Sequence, residues 1–419
     1  MRILNKIKYG LKDIASVIRG EFLTISTSYA ILLVLMGGIF VYGLLYNYMY
    51  EPNLIRNAPV AVVDMSHSQL SREYTRLIDA TPQVKIYTNN VDFPGAKELM
   101  KKNEVVGIIY IPEDFETRVK RGDESAFIMY GSTTAFLYYL ALQEASSGAM
   151  LAINDRYRPE MIVFLPQDDA MQLSQSKAIT VTGTALYNHT EGYGSYLIPA
   201  VLMVIIFQTL MMVIGMVSGA ERGKGTIRLY ADGGVTFSHM ARIVTGKTFV
   251  YSILYLVFSL FLLGLMPVVY NLPDIGNKWH ILMLLVPYLM ATSFFGLASS
   301  LFFTDSEAPL LMIAFFSVGL IFLSGVSYPM ELMPWYWRVV HFIVPAAPAT
   351  LAFVKLNSMG ASMADINVEY ITLWIQCIVY FPLACLVYRY NLRKSLGQTN
   401  RFTRVVQASH PGDTPVSPR

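Results

Sequence analysis

Two stretches of the sequence contain glycine, lysine and threonine in the arrangement typical of phosphate-binding loops. They are Gly223-Lys-Gly-Thr226 and Thr245-Gly-Lys-Thr248. A phosphate loop follows the pattern G-x-x-x-x-G-K-[ST] between a strand and a helix, so that backbone N–H groups point at the phosphates. In the first stretch a glycine follows the lysine, and the leading glycine positions hold Ser218 and Ala241. The sequence therefore predicts that neither stretch binds a nucleotide.

The composition indicates a membrane protein. The chain has 419 residues, of which 54% are hydrophobic and only 15% are charged, and its mean hydropathy is +0.44. Soluble domains carry about 25% charged residues. The two cysteines, Cys377 and Cys385, lie eight apart in one apolar run, a spacing that suits neither a local disulfide nor a metal site. We expect no catalytic residue and no metal site in this chain.

Long gaps between charged residues predict the membrane spans, because about 20 apolar residues cross a bilayer. An uncharged run at 125–143 is split by Gly131-Ser-Thr-Thr134 and is not assigned as a span. Residues 339–354 are interrupted by Pro345 and Pro348, which favours a re-entrant or interfacial hairpin over 328–355. Six spans are predicted, with apolar cores near 29–46, 197–218, 249–267, 281–303, 309–327 and 370–388.

The distribution of basic residues predicts the orientation. Lys and Arg number five in residues 1–28, five in 219–247 and six in 389–419. The short loop at 268–280 holds only one, and 325–368 holds two. Because basic loops stay in the cytoplasm, both termini and the 219–247 loop are expected there. The tail at 389–419 is expected to be disordered, and 1–28 to form an amphipathic interface helix.

The long segment between the first two spans alternates strand-like and helical patterns. Strand-like runs at 59–64, 83–87, 105–111 and 127–130 are rich in β-branched and aromatic residues. The fold class expected is therefore an α-helical integral membrane protein with six transmembrane helices and an inserted α/β (α+β) extracytoplasmic domain at 47–193. The other five spans form a membrane core over 194–388.

The 219–247 loop allows two interpretations. One is a short amphipathic helix across the membrane face that couples to a partner, followed by a turn at Asp232-Gly-Gly234. The other is a basic loop that only sets the topology. In the helix, apolar side chains would face inward and basic ones outward. The inward set is Ile227, Leu229 and Tyr230, and the outward set is Arg222, Lys224 and Arg228.

Several short motifs follow one another along these spans. Arg19-Gly-Glu21-Phe22 leads into the first span, Leu197-Ile-Pro-Ala-Val-Leu202 with Gln208 opens the second, and Gly246-Lys247 opens the third. The outer segment contains Val62-Val-Asp64, Ser71-Arg72 and Ile111-Pro112 with Asp114-Phe115. The hairpin after the fifth span holds Ser324-Gly325, Tyr328-Pro329, Met333-Pro334-Trp335, Pro345 and Pro348.

In this order, the motifs resemble those of the membrane subunits of type-2 ABC exporters, in the branch with a large outer domain after the first span. Glu221-Arg-Gly-Lys-Gly-Thr226 resembles that family's R-E-R-E-x-G-T-x-E loop. The chain departs from it at Arg228, where the family has a second acidic residue, so that only Glu221 offers a carboxylate there.

The resemblance implies an exporter permease that dimerises, with itself or a related subunit, and docks on a separate ATPase that binds ATP and Mg²⁺. This chain would then need no cofactor. Implied partners also include membrane lipid and, in a cell with two membranes, a periplasmic adaptor and an outer-membrane channel. No nucleic acid is expected, and the expected location is the bacterial inner membrane. The residues implied in ATPase coupling are Arg19, Glu21, Glu221, Arg222, Gly225, Thr226, Gly246 and Lys247.

The resemblance implies an outer hairpin or gate formed by Gly325, Pro329, Met333, Pro334, Pro345 and Pro348. Polar span residues either line a pathway or bond between helices; they are Gln208, Thr209, Thr292 and Ser293. The uncharged spans favour an amphiphilic or hydrophobic substrate. A second hypothesis is a membrane-anchored scaffold or receptor whose outer domain binds a partner. An ion-coupled transporter is disfavoured because the spans contain no charged residue.

Overall fold

The computed structural model describes residues 2–50, 55–89, 91–121, 127–131, 136–164, 193–227, 230, 234–272, 274–303 and 305–409. The chain forms two compact units. One consists of Met1–Glu51 and Ala185–Arg419, and the other of Pro52–Thr184. Each is described by itself.

The first unit is helical. It begins with α1 (Arg2–Thr27), which Ser28 separates from α2 (Tyr29–Met49). The remaining helices are α7 (Tyr193–Gly223), α8 (Phe237–Val269), α9 (Lys278–Phe302), α10 (Ala308–Leu323), α11 (Trp335–Ile343), α12 (Ala346–Met359) and α13 (Asn367–Ser409). Both α2 and α8 contain a π-helical stretch, at Leu33–Val41 and Phe261–Leu265.

Helix α7 is the centre of this unit. It is apolar on all sides and packs against α2, α9, α10 and α12. A helix that is hydrophobic all round must be covered by other helices or by lipid. Its glycines permit close approach: a Cβ added at Gly219 would overlap the carbonyl of Asp305, just before α10. The C-terminal end of α7 is therefore fixed against the turn between α9 and α10.

Five helices are long and apolar enough to cross a membrane: α2, α7, α8, α9 and α13. The expected fifth span, 309–327, corresponds to α10, which has only 16 residues. The expected hairpin at 328–355 corresponds to α11 and α12, which meet at 86°. By length and composition the described helices supply five spans, or six if that bent pair is one span.

The C-terminal segment differs from its expectation. Helix α13 continues through residues 389–409, which were expected to be disordered, while 410–419 lie outside the described residues. The sequence explains the difference, because 389–409 contain no proline and only one glycine, Gly397, among several good helix formers. A basic, low-hydropathy tail can therefore extend a span as helix.

The second unit contains a four-stranded sheet with helices on both faces. Its strands are β1 (Ala58–Asp64), β2 (Val84–Thr88), β3 (Gly107–Ile111) and β4 (Ile128–Gly131), in the order β2-β1-β3-β4. β1 runs parallel to β2 and β3, and β4 is antiparallel to β3. The helices are α3 (Gln69–Asp79), α4 (Phe93–Lys101), α5 (Phe115–Arg121) and α6 (Phe136–Phe164).

Strand β1 is buried on both faces, as expected of a central parallel strand. Val60 and Val62 pack with the cluster under α3, α5 and α6, whereas Ala61 and Val63 pack with the cluster under α4. The alternation of side chains along a strand produces these two cores. The predicted α/β character of this segment is confirmed, with strand bounds within two residues of those expected.

Asp64 closes the turn after β1. Its carboxylate accepts hydrogen bonds from the backbone N–H of Ser66 at 3.0 Å and of His67 at 3.1 Å. It also accepts one from Ser71 Oγ at 2.6 Å. Ser71 in turn forms a capping box with Ser68 at the start of α3. Asp64 thus joins the end of the central strand to the first turn of the next helix.

We predict that Asp64→Ala loosens this turn. A hydrogen bond to a charged group contributes about 1.5–3 kcal/mol, and three are lost here, so the local opening free energy should fall by at least roughly 2 kcal/mol. Hydrogen exchange of the full-length protein, read by mass spectrometry at residues 60–75, measures this fall. The matched control is Asp114→Ala, directly before α5, because the exposed Asp114–Arg118 pair is worth only about 0.5 kcal/mol. Equal exchange in the two variants would contradict the role assigned to Asp64.

Candidate functional site

A buried ion cluster joins three segments of the first unit. Lys247 of α8 contacts Glu21 of α1, and its Nζ lies 2.7 Å from Oε1 of Glu221, near the end of α7. The Lys247 side chain is fully buried, and those of Glu21 and Glu221 are 1% and 9% exposed. We call these three residues the triad. Two carboxylates share one ammonium, so the triad carries a formal charge of −1.

Three tyrosines surround the triad. Tyr251 donates to Glu21 Oε1, and Tyr230 donates to Glu221 Oε1 at 3.1 Å. The Tyr388 hydroxyl of α13 lies 3.5 Å from Glu221 Oε2. Lys247 Nζ also lies 5.5 Å and 5.8 Å from the ring centroids of Tyr230 and Tyr388. Phenol donors and ring faces therefore compensate for the loss of water around the buried charges.

Tyr230 is the triad neighbour that lies outside the apolar helices. Burial raises the pKa of its phenol above the ordinary value, and Glu221 adds to this effect while Lys247 opposes it. The phenol therefore stays protonated at neutral pH and can donate to Glu221. His239 fixes the same residue from the other side, because its Nε2 lies 3.0 Å from the Tyr230 carbonyl oxygen.

Close packing of α1 on α8 brings the triad together. Val17, Glu21 and Ile25 are spaced by four residues and form the buried face of α1. A Cβ added at Gly246 would lie 3.0 Å from Val17 Cγ1 and 3.3 Å from the Ile14 carbonyl oxygen. A larger residue at 246 would push α1 away from α8. Glycine next to Lys247 is thus what lets the lysine reach Glu21.

Two arginines extend the network. Arg242, near the start of α8, pairs with Asp13 of α1 in a partly exposed ion pair. Arg222, in the last turn of α7, donates to the carbonyls of Ser300, Leu301 and Phe303, the last two at 3.1 Å and 2.9 Å. These carbonyls end α9, where a cation is favoured by the helix dipole. The end of α7 is therefore tied to α1, α8 and α9 at once.

An open cavity of about 770 Å³ lies beside the triad, between α1 and the segment that follows α7. Its lining includes Asp13, Glu221, Lys224, Thr226 and His239. Because both signs of charge and several hydroxyls are present, the cavity is suited to a polar protein segment more than to an apolar ligand. It is a concave surface formed jointly by the two segments that the sequence associates with coupling.

The structure brings together three of the residues predicted for coupling: Glu21, Glu221 and Lys247. Arg19 is exposed on α1 and does not join them. Gly225, two residues after the end of α7, has a φ of 68°, a backbone conformation that favours glycine. Thr226 Oγ1 lies 3.5 Å from the Glu221 carbonyl oxygen.

The expected amphipathic helix is described only in part. Arg228, Leu229 and 231–233 lie outside the described residues, whereas Ile227 is buried, as its inward assignment required. One expectation differs in geometry: the Glu221 carboxylate points inward to Lys247 instead of outward to a partner. A carboxylate this buried needs a cation beside it, and Lys247 is the nearer source.

The residues of the predicted outer hairpin lie at its bends. Gly325 has a φ of 85° just after α10, and Met333 is buried. Pro334 and Pro345 immediately precede α11 and α12, and Pro348 lies in the first turn of α12. Proline suits these positions because the first turn of a helix leaves its N–H groups without intrahelical acceptors.

The four polar residues considered for a pathway do not form one surface. Thr209 Oγ1 donates to its own helix, at the Ile205 carbonyl, and its methyl group packs against Gly38 of α2. Thr292 and Ser293 are buried in α9 without a hydrogen-bond partner among the described residues. Gln208 is half-buried. Thr209 therefore serves helix packing, and none of the four lines the large apolar groove of this unit.

Sequence reasoning did not single out Tyr251, Tyr388, Asp13 and Arg242. Tyr251 follows Lys247 by four residues, which puts both on one face of α8, and this signal could have been read. Asp13 lies two turns before Glu21 on α1. Tyr388 comes from the far end of the chain, and no local pattern indicates its contact with Glu221.

We predict that Lys247→Met severely destabilises the protein, because it leaves Glu21 and Glu221 buried without a cation. Removing one partner of a buried pair costs about 3–5 kcal/mol. Arg242→Met, which breaks the partly exposed pair with Asp13, should cost no more than about 1 kcal/mol. Thermal unfolding in detergent, followed by size-exclusion chromatography, measures both.

Adding Glu21→Gln and Glu221→Gln to Lys247→Met should restore much of the lost stability. Similar melting of the Lys247→Met and Arg242→Met variants would show that the triad is not a buried charge cluster.

Comparison with known proteins agrees with the motifs and the helices. A family model described as "ABC-2 family transporter protein" matches residues 22–386, which run from the end of α1 to within α13. A search of curated proteins found no match. The matched region includes Glu221 and Lys247 together with the apolar helices, and it begins one residue after Glu21. The chain belongs to the ABC-2 family of multi-pass membrane transporter proteins.

Proposed function

We propose that the chain is the permease subunit of an ATP-driven exporter, which couples to a separate cytoplasmic ATPase and moves an amphiphilic or hydrophobic substrate outward. The triad carries this proposal, because it fixes α1 and the segment after α7 to the membrane helices at one end of the unit. Those are the two segments that an ATPase would contact. ATP hydrolysis takes place in the partner, and this chain is not catalytic.

The transmission of motion follows from the contacts at the end of α7. A partner that displaces Lys224 and Thr226 moves Glu221 and Arg222, which precede them directly. Glu221 then acts on α1 and α8 through Lys247, and Arg222 acts on α9 through the carbonyls of Ser300 and Phe303. ATP binding shifts the arrangement only if the ATPase binds one arrangement more tightly than the other.

The permease is proposed to dimerise and to lie in a bacterial inner membrane, with the Pro52–Thr184 unit outside the cytoplasm. Helix α10 supports a dimer contact, because Leu311 and Phe315 are 79% and 81% exposed on one face. Large apolar side chains with so few neighbours are typical of a protein or lipid contact. A periplasmic adaptor and an outer-membrane channel are further proposed partners.

Charge reversal at the exposed inner surface tests the coupling. We expect Arg19→Glu together with Lys224→Glu to reduce co-purification of the ATPase from the native membrane by about tenfold, equal to the loss of ~1.4 kcal/mol. Both side chains are exposed, so the fold should survive. The matched control is Arg118→Glu on the other unit. In vesicles that contain chain and ATPase, ATP-dependent flux should fall in parallel.

Unchanged ATPase binding in the double variant would contradict docking at this surface. Vesicles that contain chain and ATPase but move no amphiphile with ATP would instead favour the scaffold hypothesis.

The dimer is tested by a single cysteine. The two native cysteines are buried, so Phe315→Cys introduces the one exposed thiol. We expect a short bifunctional thiol crosslinker to join two chains in membranes at this position. Val268→Cys, at a residue of α8 that is 68% exposed, is the control. Equal crosslinking at both positions would indicate random collision and not a dimer through α10.

A further inference from the structure

A long apolar groove separates α9 from α10. Its volume is about 870 Å³, within the range of about 300–1,000 Å³ found for ligand pockets. Phe207 and Met211 of α7 form its floor, Phe295 of α9 and Phe316 of α10 lie on its walls, and Trp337 of α11 closes its far end. None of the described side chains that line it carries a charge.

The groove is long enough to suit an extended lipid chain better than a compact molecule. It extends from Phe302 and Phe303, at the end of α9, along α10 to Trp337. Helix α10 has 16 residues and is therefore about 24 Å long. One leaflet of the hydrocarbon core measures about 15 Å. An acyl chain that enters from the end near Arg222 would thus stay inside the groove over its full length.

Charges of both signs lie at that end of the groove. Arg222 binds the carbonyl of Phe303, a lining residue. Three of its five N–H groups donate to the carbonyls that end α9, and no described residue accepts from the other two. Asp305 and Glu307 follow directly and are exposed, and the Asp305 backbone contacts Gly219, one turn before Arg222. One cation therefore contacts the last lining residue of this end, and two carboxylates follow it within four positions in the sequence.

We propose that this groove binds a phosphatidylethanolamine, with its acyl chains between α9 and α10, its phosphate on Arg222 and its ammonium at Asp305 and Glu307. A zwitterionic headgroup is complementary to both signs of charge. An anionic phosphatidylglycerol would meet Arg222 equally well but would place an uncharged glycerol, in place of an ammonium, beside the two carboxylates. The site depends on the membrane placement of the helices and not on the ATPase.

A second copy of the chain is the competing occupant. It would cover the groove through α10, whose groove-facing residues Met312 and Phe316 are distinct from the outward pair Leu311 and Phe315. The two faces of α10 can therefore hold a lipid and a dimer partner at the same time. The lipid is favoured here because its zwitterionic headgroup carries both signs of charge, as do Arg222, Asp305 and Glu307 together.

Photocrosslinking tests the proposal. The full-length chain is placed in nanodiscs that contain phosphatidylethanolamine with a diazirine on its acyl chain, and the labelled peptides are mapped. Labels should concentrate on the groove-facing residues of α7 and α10. The same probe with a phosphatidylglycerol headgroup should label about tenfold less, the effect of losing one charge-assisted contact.

Substitutions at two matched glycines distinguish lipid labelling in the groove from labelling at the general lipid surface. A Cβ at Gly319, which lines the groove, or at Gly264, in the π-helical stretch of α8, would meet no atom within 4 Å. Both should therefore accept a larger side chain without misfolding. Gly319→Phe fills the groove and should reduce groove labelling about tenfold, equal to about 1.4 kcal/mol. Gly264→Phe should leave it unchanged.

Glu307→Gln tests the headgroup contact and should bring the two probes closer together in labelling. Equal labelling by both headgroups in the original chain, or labelling that Gly319→Phe does not reduce, would overturn the proposal. The proposal would also be overturned if Gly319→Phe abolished the Phe315→Cys crosslink and left lipid labelling unchanged. That result would assign the groove to a second copy. ATPase binding is not needed in any of these measurements, so a failure of the lipid site leaves the proposed transport function standing.

Discussion

The buried contact of Lys247 with Glu21 and Glu221 is the constraint on which the first unit depends. Burying three charges is unfavourable unless each finds its partners, so the positions of α1, α7 and α8 are fixed relative to one another to within a hydrogen bond. Tyr230, Tyr251 and Tyr388 complete the polar shell, which also draws α13 to the same point. Weak packing around the triad would expose its charges to lipid. None of the four helices α1, α7, α8 and α13 can therefore move at the triad without disturbing the others.

The contact has a functional implication, because its polar network ends next to the exposed segment that follows α7. Glu221 is followed within five residues by the exposed Lys224 and Thr226, and Arg222 holds the end of α9. Buried polar networks change between discrete arrangements and do not deform gradually, since a partly satisfied network is unfavourable. A push on the segment after α7 is therefore expected to produce all of the helix displacement or none of it, which is the behaviour that a two-state transporter requires.

The sequence was sufficient for what depends on local pattern. Charge-free windows predicted the helices α2, α7, α8, α9 and α13, and β-branched runs predicted the strands of the second unit. The family resemblance, and not a local pattern, named Glu21, Glu221 and Lys247 individually as coupling residues. Their contact could not be predicted, because Glu21 is 200 positions from Glu221 and 226 from Lys247, and only tertiary packing joins them. The same limitation explains why the contact of Tyr388 with Glu221 was not predicted. It also explains why Glu221 was expected to face a partner. The helical tail of α13 was missed because composition alone does not distinguish a basic helix from a basic coil.

Helices α7 and α10 pack side by side although their lengths differ greatly. Helix α7 has 31 residues and is about 46 Å long, whereas α10 has 16 residues and is about 24 Å long. The hydrocarbon core of a bilayer is about 30 Å thick, which the apolar core of α7 at 197–218 (about 33 Å) matches, whereas α10 falls short. Hydrophobic mismatch of this kind is relieved on the α10 side by local thinning of the bilayer or by lipid that tilts inward. We therefore expect the bilayer to be thinner on the α10 side of the unit, so that bilayer thickness becomes a variable to which the conformational equilibrium responds.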